Sequence, residues 1–197
     1  MKRQLEGHTT STELVHHVRA SIFAQEAAWR LIDDRLVWNE VGQSRAGEAG
    51  VIALDQVESI RLTSEPSRLG PRMFCRLRTR DGAIALIASI HTGGVFSAQD
   101  RSLTYKTLVR QLVERIAMAN PNARFLTGIT PKVWWSVVLG LAALLGAMGA
   151  FIVLVGGEIF TPRILVGLAL VALGTPNLIR WLTTNRPGSF RPTSPPL

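Results

Sequence analysis

An α+β domain followed by an α-helical membrane hairpin is the fold class this sequence predicts. The domain is read as bent antiparallel sheet closed by one C-terminal helix. Three observations carry the prediction. From Val133 to Val155 no residue is charged, and nothing before Thr130 resembles that run. At 1.5 Å per helical residue the run reaches roughly 34 Å, enough to cross a bilayer core of about 30 Å. Upstream, two segments read as β-hairpins about short polar turns. Between them and the apolar run, one apolar stripe recurs at helical spacing.

Residues 1–24 form a lead that is partly disordered or holds a short helix. Thr10 and Glu13 fit a capping box for a helix bearing Leu14, Val15, Val18 and Ile22. Met1-Lys2-Arg3 is followed by no apolar run, so a cleaved signal is not expected. The domain itself is read over 25–125. Its first hairpin is Trp29–Ile32, a two-residue turn at Asp33-Asp34, and Arg35–Trp38. That turn pairs Leu31 with Leu36 and Trp29 with Trp38, which puts all four on one face. Val57 to Leu62 alternates apolar and polar, as a half-buried strand does. Gly42–Gly50 and Ser64–Pro71 read as loops.

The second hairpin is Met73–Arg80, a turn at Asp81-Gly82, and Ala83–Ile90. A two-residue turn pairs Leu77 with Leu86 and Cys75 with Ala88 on the core side. It leaves Arg76, Arg78 and Arg80 in a row on the other face, beside small residues. Ser97, with Asp100 three positions on, is read as the cap of the following helix. Tyr105, Leu108, Val109, Leu112, Val113 and Ile116 form its buried stripe, and Asn120-Pro121 ends it.

The membrane part is read over 132–182, with spans at about 133–155 and 163–182. Trp134 and Trp135 stand at the entrance of the first, where an interfacial belt belongs. Ile164–Ile179 is again uncharged, flanked by Arg163 and Arg180 that can snorkel outward. Pro176-Asn177 should kink or end that helix. Basic residues flank the hairpin on both outer sides (Arg124 and Lys132; Arg180, Arg186 and Arg191), so both termini are expected in the cytoplasm. Ala142, Gly146 and Ala150 place small residues on one face of the first span. They suit close packing of the second helix, or a contact between copies. The tail, 185–197, is rich in Pro, Ser and Arg and is expected to be disordered.

The order of two hairpins around Ile52, Val57, Ile60 and Leu62, with a closing helix, resembles the bacterial PH-like domains. The resemblance covers roughly 25–120. It implies a split β-barrel of two roughly orthogonal bent antiparallel sheets capped by the C-terminal helix, attached to transmembrane helices at a bacterial inner membrane. It also implies a binding or assembly scaffold, and it transfers no catalytic residue.

The chemistry-bearing residues are sparse. Cys75 is the only cysteine, so no internal disulfide forms, and its place on a core face reads as a small buried hydrophobe. His16 and His17 are adjacent and cannot share a metal as an i, i+4 pair does; His8 and His91 stand apart. There is no phosphate-binding Walker loop and no nucleophile elbow. Asp33-Asp34 sits where a hairpin turns. Neither apolar segment holds an ionisable residue, which, with only two spans, argues against a transporter acting alone. No catalytic residue, metal or cofactor is therefore expected.

Formal net charge is +8, and all the basic residues but Lys2, Lys106 and Lys132 are arginines. Arg72, Arg76, Arg78 and Arg80, joined by Arg61 and Arg68, are the one charged constellation. They are either a solvated sheet face or a contact for anionic lipid headgroups or an acidic membrane protein partner. Nucleic acid is disfavoured because only Phe74 shares that face for stacking. The sequence thus predicts a non-enzymatic, membrane-anchored binding module, with an assembly subunit or homo-oligomer as the alternative.

Overall fold

The computed structural model describes residues 14–20, 26–40, 50–67, 70–93, 97–155 and 174–197. Strands β1 (Val15–Arg19), β2 (Glu26–Ile32), β3 (Arg35–Glu40) and β4 (Gly50–Ala53) form an antiparallel sheet in that order. The β2–β3 register is the predicted one, with Leu31 opposite Leu36 and Trp29 opposite Trp38. The two indoles stack at 5.1 Å. Trp38 also lies over Gly50, where a Cβ would stand 1.8 Å from its ring, so only glycine fits opposite that indole.

β1 corrects the expected short N-terminal helix. Thr10 and Glu13 lie outside the described residues, but Val15–Arg19 is a strand paired with β2. Alternation then sends His16 inward, fully buried, and leaves His17 exposed. His16 Nε2 donates to the Ala88 carbonyl (2.9 Å), and Nδ1 is hydrogen-bonded to the Thr104 hydroxyl (2.9 Å). Burial lowers the His16 pKa first; its bond to Ala88 opposes this, while Arg101 and His17 add to it. Burial, Arg101 and Arg19 lower that of His91 against the opposing pull of Glu26.

Below the unperturbed value of about 6.5 the unfolded chain binds protons that these folded imidazoles resist. Stability should therefore fall as pH drops from 7 through 6.5, levelling only below the folded pKa values. His16→Gln, which keeps a donor for Ala88, should flatten that slope in urea unfolding at several pH values. An unchanged slope would place the dependence elsewhere.

A 3-10 turn, Leu54–Gln56, leads into β5 (Val57–Glu65), which pairs with β6 (Arg72–Thr79), and β6 pairs with β7 (Ile84–Ala88). The second hairpin departs from prediction by one residue. Leu77 faces Ala85, Cys75 faces Ile87, Arg76 faces Leu86 and Arg78 faces Ile84. The turn is the cause. Gly82 N–H donates to the Thr79 carbonyl (3.1 Å), and Gly82 alone takes a positive φ, +89°. The loop therefore has three residues, Arg80-Asp81-Gly82, with glycine in the left-handed position. The Asp81 carboxylate holds it by accepting from the Thr79 hydroxyl and the Ala83 amide.

The chain then forms β8 (Ile90–Thr92) and β9 (Ala98–Asp100), a small antiparallel pair. Ser97 caps nothing, since β9 follows it. Helix α1 runs Ser102–Ala119, and Asp100 accepts from the Ser102 amide at its start. Its six predicted stripe residues are all buried. They join Trp29 and Leu36 of the first sheet and Ile60, Leu77 and Ile87 of the second in one core. At its end the buried Asn120 amide donates to the Val57 carbonyl. Cys75 is buried here, and burial pushes its thiol up to about 12.

β10 (Arg124–Thr127) adds to the second sheet, parallel to β5. Helix α2 (Pro131–Val155) follows. Its stretch Pro131–Ala150 is long and apolar enough to cross a membrane, with none of it buried inside the protein. Residues 156–173, and with them Arg163 and much of the second predicted span, lie outside the described residues. Residues 174–184 are helical, so helix continues beyond Pro176-Asn177 rather than ending there.

The tail is not the disordered segment its composition suggests. β11 (Gly188–Ser189) pairs antiparallel with β10, giving the order β11-β10-β5-β6-β7. Phe190 packs edge-on against Phe125 at 5.7 Å, and Leu197 touches the core. The sheet thus runs past the predicted boundary at 125. Among the described residues the protein is α+β with mostly antiparallel sheets that remain open rather than closing into a barrel.

Candidate functional site: an arginine-rich sheet face

Alternation along β6 sends Cys75, Leu77 and Thr79 inward and leaves Arg76 and Arg78 exposed, with Arg80 exposed in the turn beyond the strand. The one-residue slip changes what stands beside them. Ile84 (63% exposed) lies opposite Arg78, and Leu86 (36% exposed) lies opposite Arg76. Guanidinium groups therefore alternate with open aliphatic side chains, not with small residues.

On the other flank, Arg61 stands opposite Arg76, and Ser59 opposite both Arg78 and Arg124. Glu58, at the irregularity in β5, contacts Arg124 and lies 3.6 Å from Arg78. Arg76 pairs with no carboxylate among the described residues. Burial first, then the nearby Arg76 and Arg124, lower the pKa of Arg61, which marks an excess of positive potential. Arg72 lies over the Phe74 ring at 4.8 Å and donates to the Ala20 carbonyl. Arg68 lies outside the described residues.

This face adjoins the foot of α2 through a tight junction. Arg61 donates to the carbonyls of Gly128 (3.0 Å) and Ile129 (3.2 Å). Asn185, 1% exposed, accepts from Ser64 N–H, donates to the Ser64 carbonyl, and offers its own carbonyl to Ile129 N–H. Trp134 Nε1 donates to the Leu182 carbonyl, which ties the start of α2 to the 174–184 helix. Trp135 is exposed, as an interfacial residue would be.

Arg61, Arg72 and Arg76 border a groove of about 470 Å³ whose other wall includes Val133 and Trp181. Sequence reasoning found the arginines. It missed Ile84, Leu86 and Trp181 as their neighbours, because those depend on the register and on the docked tail. Ala142, Gly146 and Ala150 lie exposed on α2, with no described atom within 4 Å of a Cβ built at Gly146. Among the described residues no cluster of His, Cys, Asp or Glu is arranged to hold a metal. No protein-family model, curated protein or solved structure matches this chain.

Proposed function

We propose that this protein is a membrane-anchored, non-enzymatic binding module of PH-like architecture whose arginine-rich face engages anionic lipid headgroups. The carrying observation is the alternation of Arg76 and Arg78 with exposed Leu86 and Ile84 beside the foot of an apolar helix. A merely solvated sheet face gains nothing from open aliphatic side chains. A leaflet surface accommodates both, with charges on phosphates and aliphatic groups among the headgroups.

The docked tail supports a hairpin. α2 leaves the second sheet, and Asn185 and β11 are bound to that same sheet. If α2 crosses the bilayer, residues 156–184 must bring the chain back. The second span read at 163–182 would reach about 30 Å as helix, which suffices. Both termini then lie in the cytoplasm with the basic flanks. A reporter active only in the external compartment, fused after Leu197, should be silent; activity there would rule out the returning span.

Lipid contact is testable with the full chain in vesicles. Because Cys75 is buried with a raised pKa, Ile84→Cys can be labelled selectively with a fluorophore. A headgroup-level quencher should quench the dye in phosphatidylglycerol vesicles at low salt, and less at high salt. Each arginine near the surface contributes about 1 kcal/mol, so changing Arg76, Arg78 and Arg80 together to Gln should weaken the contact on the order of a hundredfold. Quenching that is absent, or indifferent to the triple change, favours an acidic membrane protein as partner.

A second reading, an assembly subunit, draws on the open stripe of Ala142, Gly146 and Ala150 on α2. It requires a defined oligomer on crosslinking in native membranes, abolished by Gly146→Leu.

A further inference from the structure

The groove between the arginine face and the foot of α2 joins two chemistries. On the sheet side are the Arg61, Arg72 and Arg76 guanidiniums, with Glu65 the one carboxylate lining the groove among the described residues. Arg61 spends one terminal nitrogen on Gly128 and Ile129 and keeps its other donors free of them. Arg72 Nε is buried with no hydrogen-bond partner among the described residues. On the helix side are Val133 and Trp181, with Leu86 closing the apolar wall. A phosphate monoanion in the groove would have guanidinium donors from three lining arginines within its walls, the kind of partner arginine serves best. A small soluble anion would leave Val133, Trp181 and Leu86 wet.

The geometry points to a binding site for one anionic phospholipid, its phosphate held between Arg61, Arg72 and Arg76 and the start of its acyl chains against Val133 and Trp181. The assignment rests on the leaflet reading above, but it differs from a diffuse surface contact. It requires one lipid per chain, in a defined place, retained after extraction. The groove opens at the first turn of α2, which on the leaflet reading is the depth at which headgroup gives way to hydrocarbon. Phe74 braces the site, since its ring supports the Arg72 guanidinium.

Native mass spectrometry of the full chain in detergent, after exchange into phosphatidylglycerol and then phosphatidylcholine micelles, provides the test. Wild type should retain one phosphatidylglycerol and release phosphatidylcholine. Arg72→Gln with Arg76→Gln should weaken retention roughly thirtyfold. Thr63→Phe, which fills the groove from β5 without altering charge, should expel the lipid while the protein stays folded by circular dichroism. Arg78→Gln with Arg80→Gln, outside the groove, should leave retention intact although it weakens vesicle contact. Loss of retention in that pair as readily as in the Arg72/Arg76 pair would reduce the site to general surface attraction. Inorganic phosphate that displaces the lipid at millimolar concentration, or retention unaffected by Thr63→Phe, would overturn the assignment while leaving the broader leaflet reading to the quenching experiment.

Discussion

Leu77→Ala should lower the unfolding free energy by about 2–5 kcal/mol, whereas Leu86→Ala should change it by no more than about 0.5 kcal/mol. Leu77 is fully buried among Ile60, Leu112 and the other core residues, so truncation removes methylenes and leaves a cavity. Leu86 stands on the outer face opposite Arg76, with over a third of its surface open to solvent. A two-residue turn at Asp81-Gly82 would make the two leucines partners and their losses equal. Urea unfolding of the full chain in micelles, followed by circular dichroism, separates these cases. Equal large losses would show that the three-residue turn is wrong.

Gly128→Val should release the tail from the domain. Gly128 has φ +67°, and a Cβ there would lie 2.3 Å from the Arg186 carbonyl oxygen and 2.4 Å from that of Asn185. Those are backbone atoms, and Asn185 is bound to Ile129, so neither can yield cheaply. A β-branched residue in the left-handed region adds about 1–3 kcal/mol of strain. The consequence is loss of the Ile129–Asn185 bond and of the β10–β11 pairing. Hydrogen exchange reads it directly: the Phe190 amide, bound to the Phe125 carbonyl at 3.1 Å, should lose its protection. Asn185→Ala should do the same more mildly, since the Ser64 groups it satisfies are only partly buried. Continued protection of Phe190 in Gly128→Val would mean that the junction relaxes around the valine with the tail in place.

The first hairpin was legible because only one register puts Trp29, Leu31, Leu36 and Trp38 on a common face, and its two-residue turn was readable from Asp33-Asp34. The second was not, because both faces of its return strand are apolar. Ala85 and Ile87 suit the core as well as Ile84, Leu86 and Ala88 do, so only the turn geometry decides. That decision lies in Asp81, which bonds to Thr79 and Ala83 and so forces Gly82 alone into the left-handed position. Arg72, Arg76 and Arg78 keep their face through the slip since they lie on β6, while Arg80 moves into the turn. What changes is their company, and the candidate site depends on that company. β10 and β11 were out of reach for another reason. They hold four and two residues, and β10 pairs in parallel with a strand far back in the chain. No local periodicity marks so short a partner. β1 was misread because Leu14, Val15 and Val18 fit a helical spacing as well as a strand that buries Val18 beside His16.

The lateness of β11 imposes an order on synthesis. When the ribosome has made β10, the outer side of that strand has no partner, and Phe125 lacks the ring that covers it. Both arrive only with Gly188–Phe190, which are translated after α2 and the segment that follows it. If the segment after α2 fails to recross the bilayer, those residues emerge on the wrong side and the edge stays bare. On the hairpin topology proposed above, completion of the second sheet would work as a proofreading step for insertion: a chain that failed to recross would keep an open strand edge and an unprotected aromatic, the surfaces by which quality-control proteases recognise substrates.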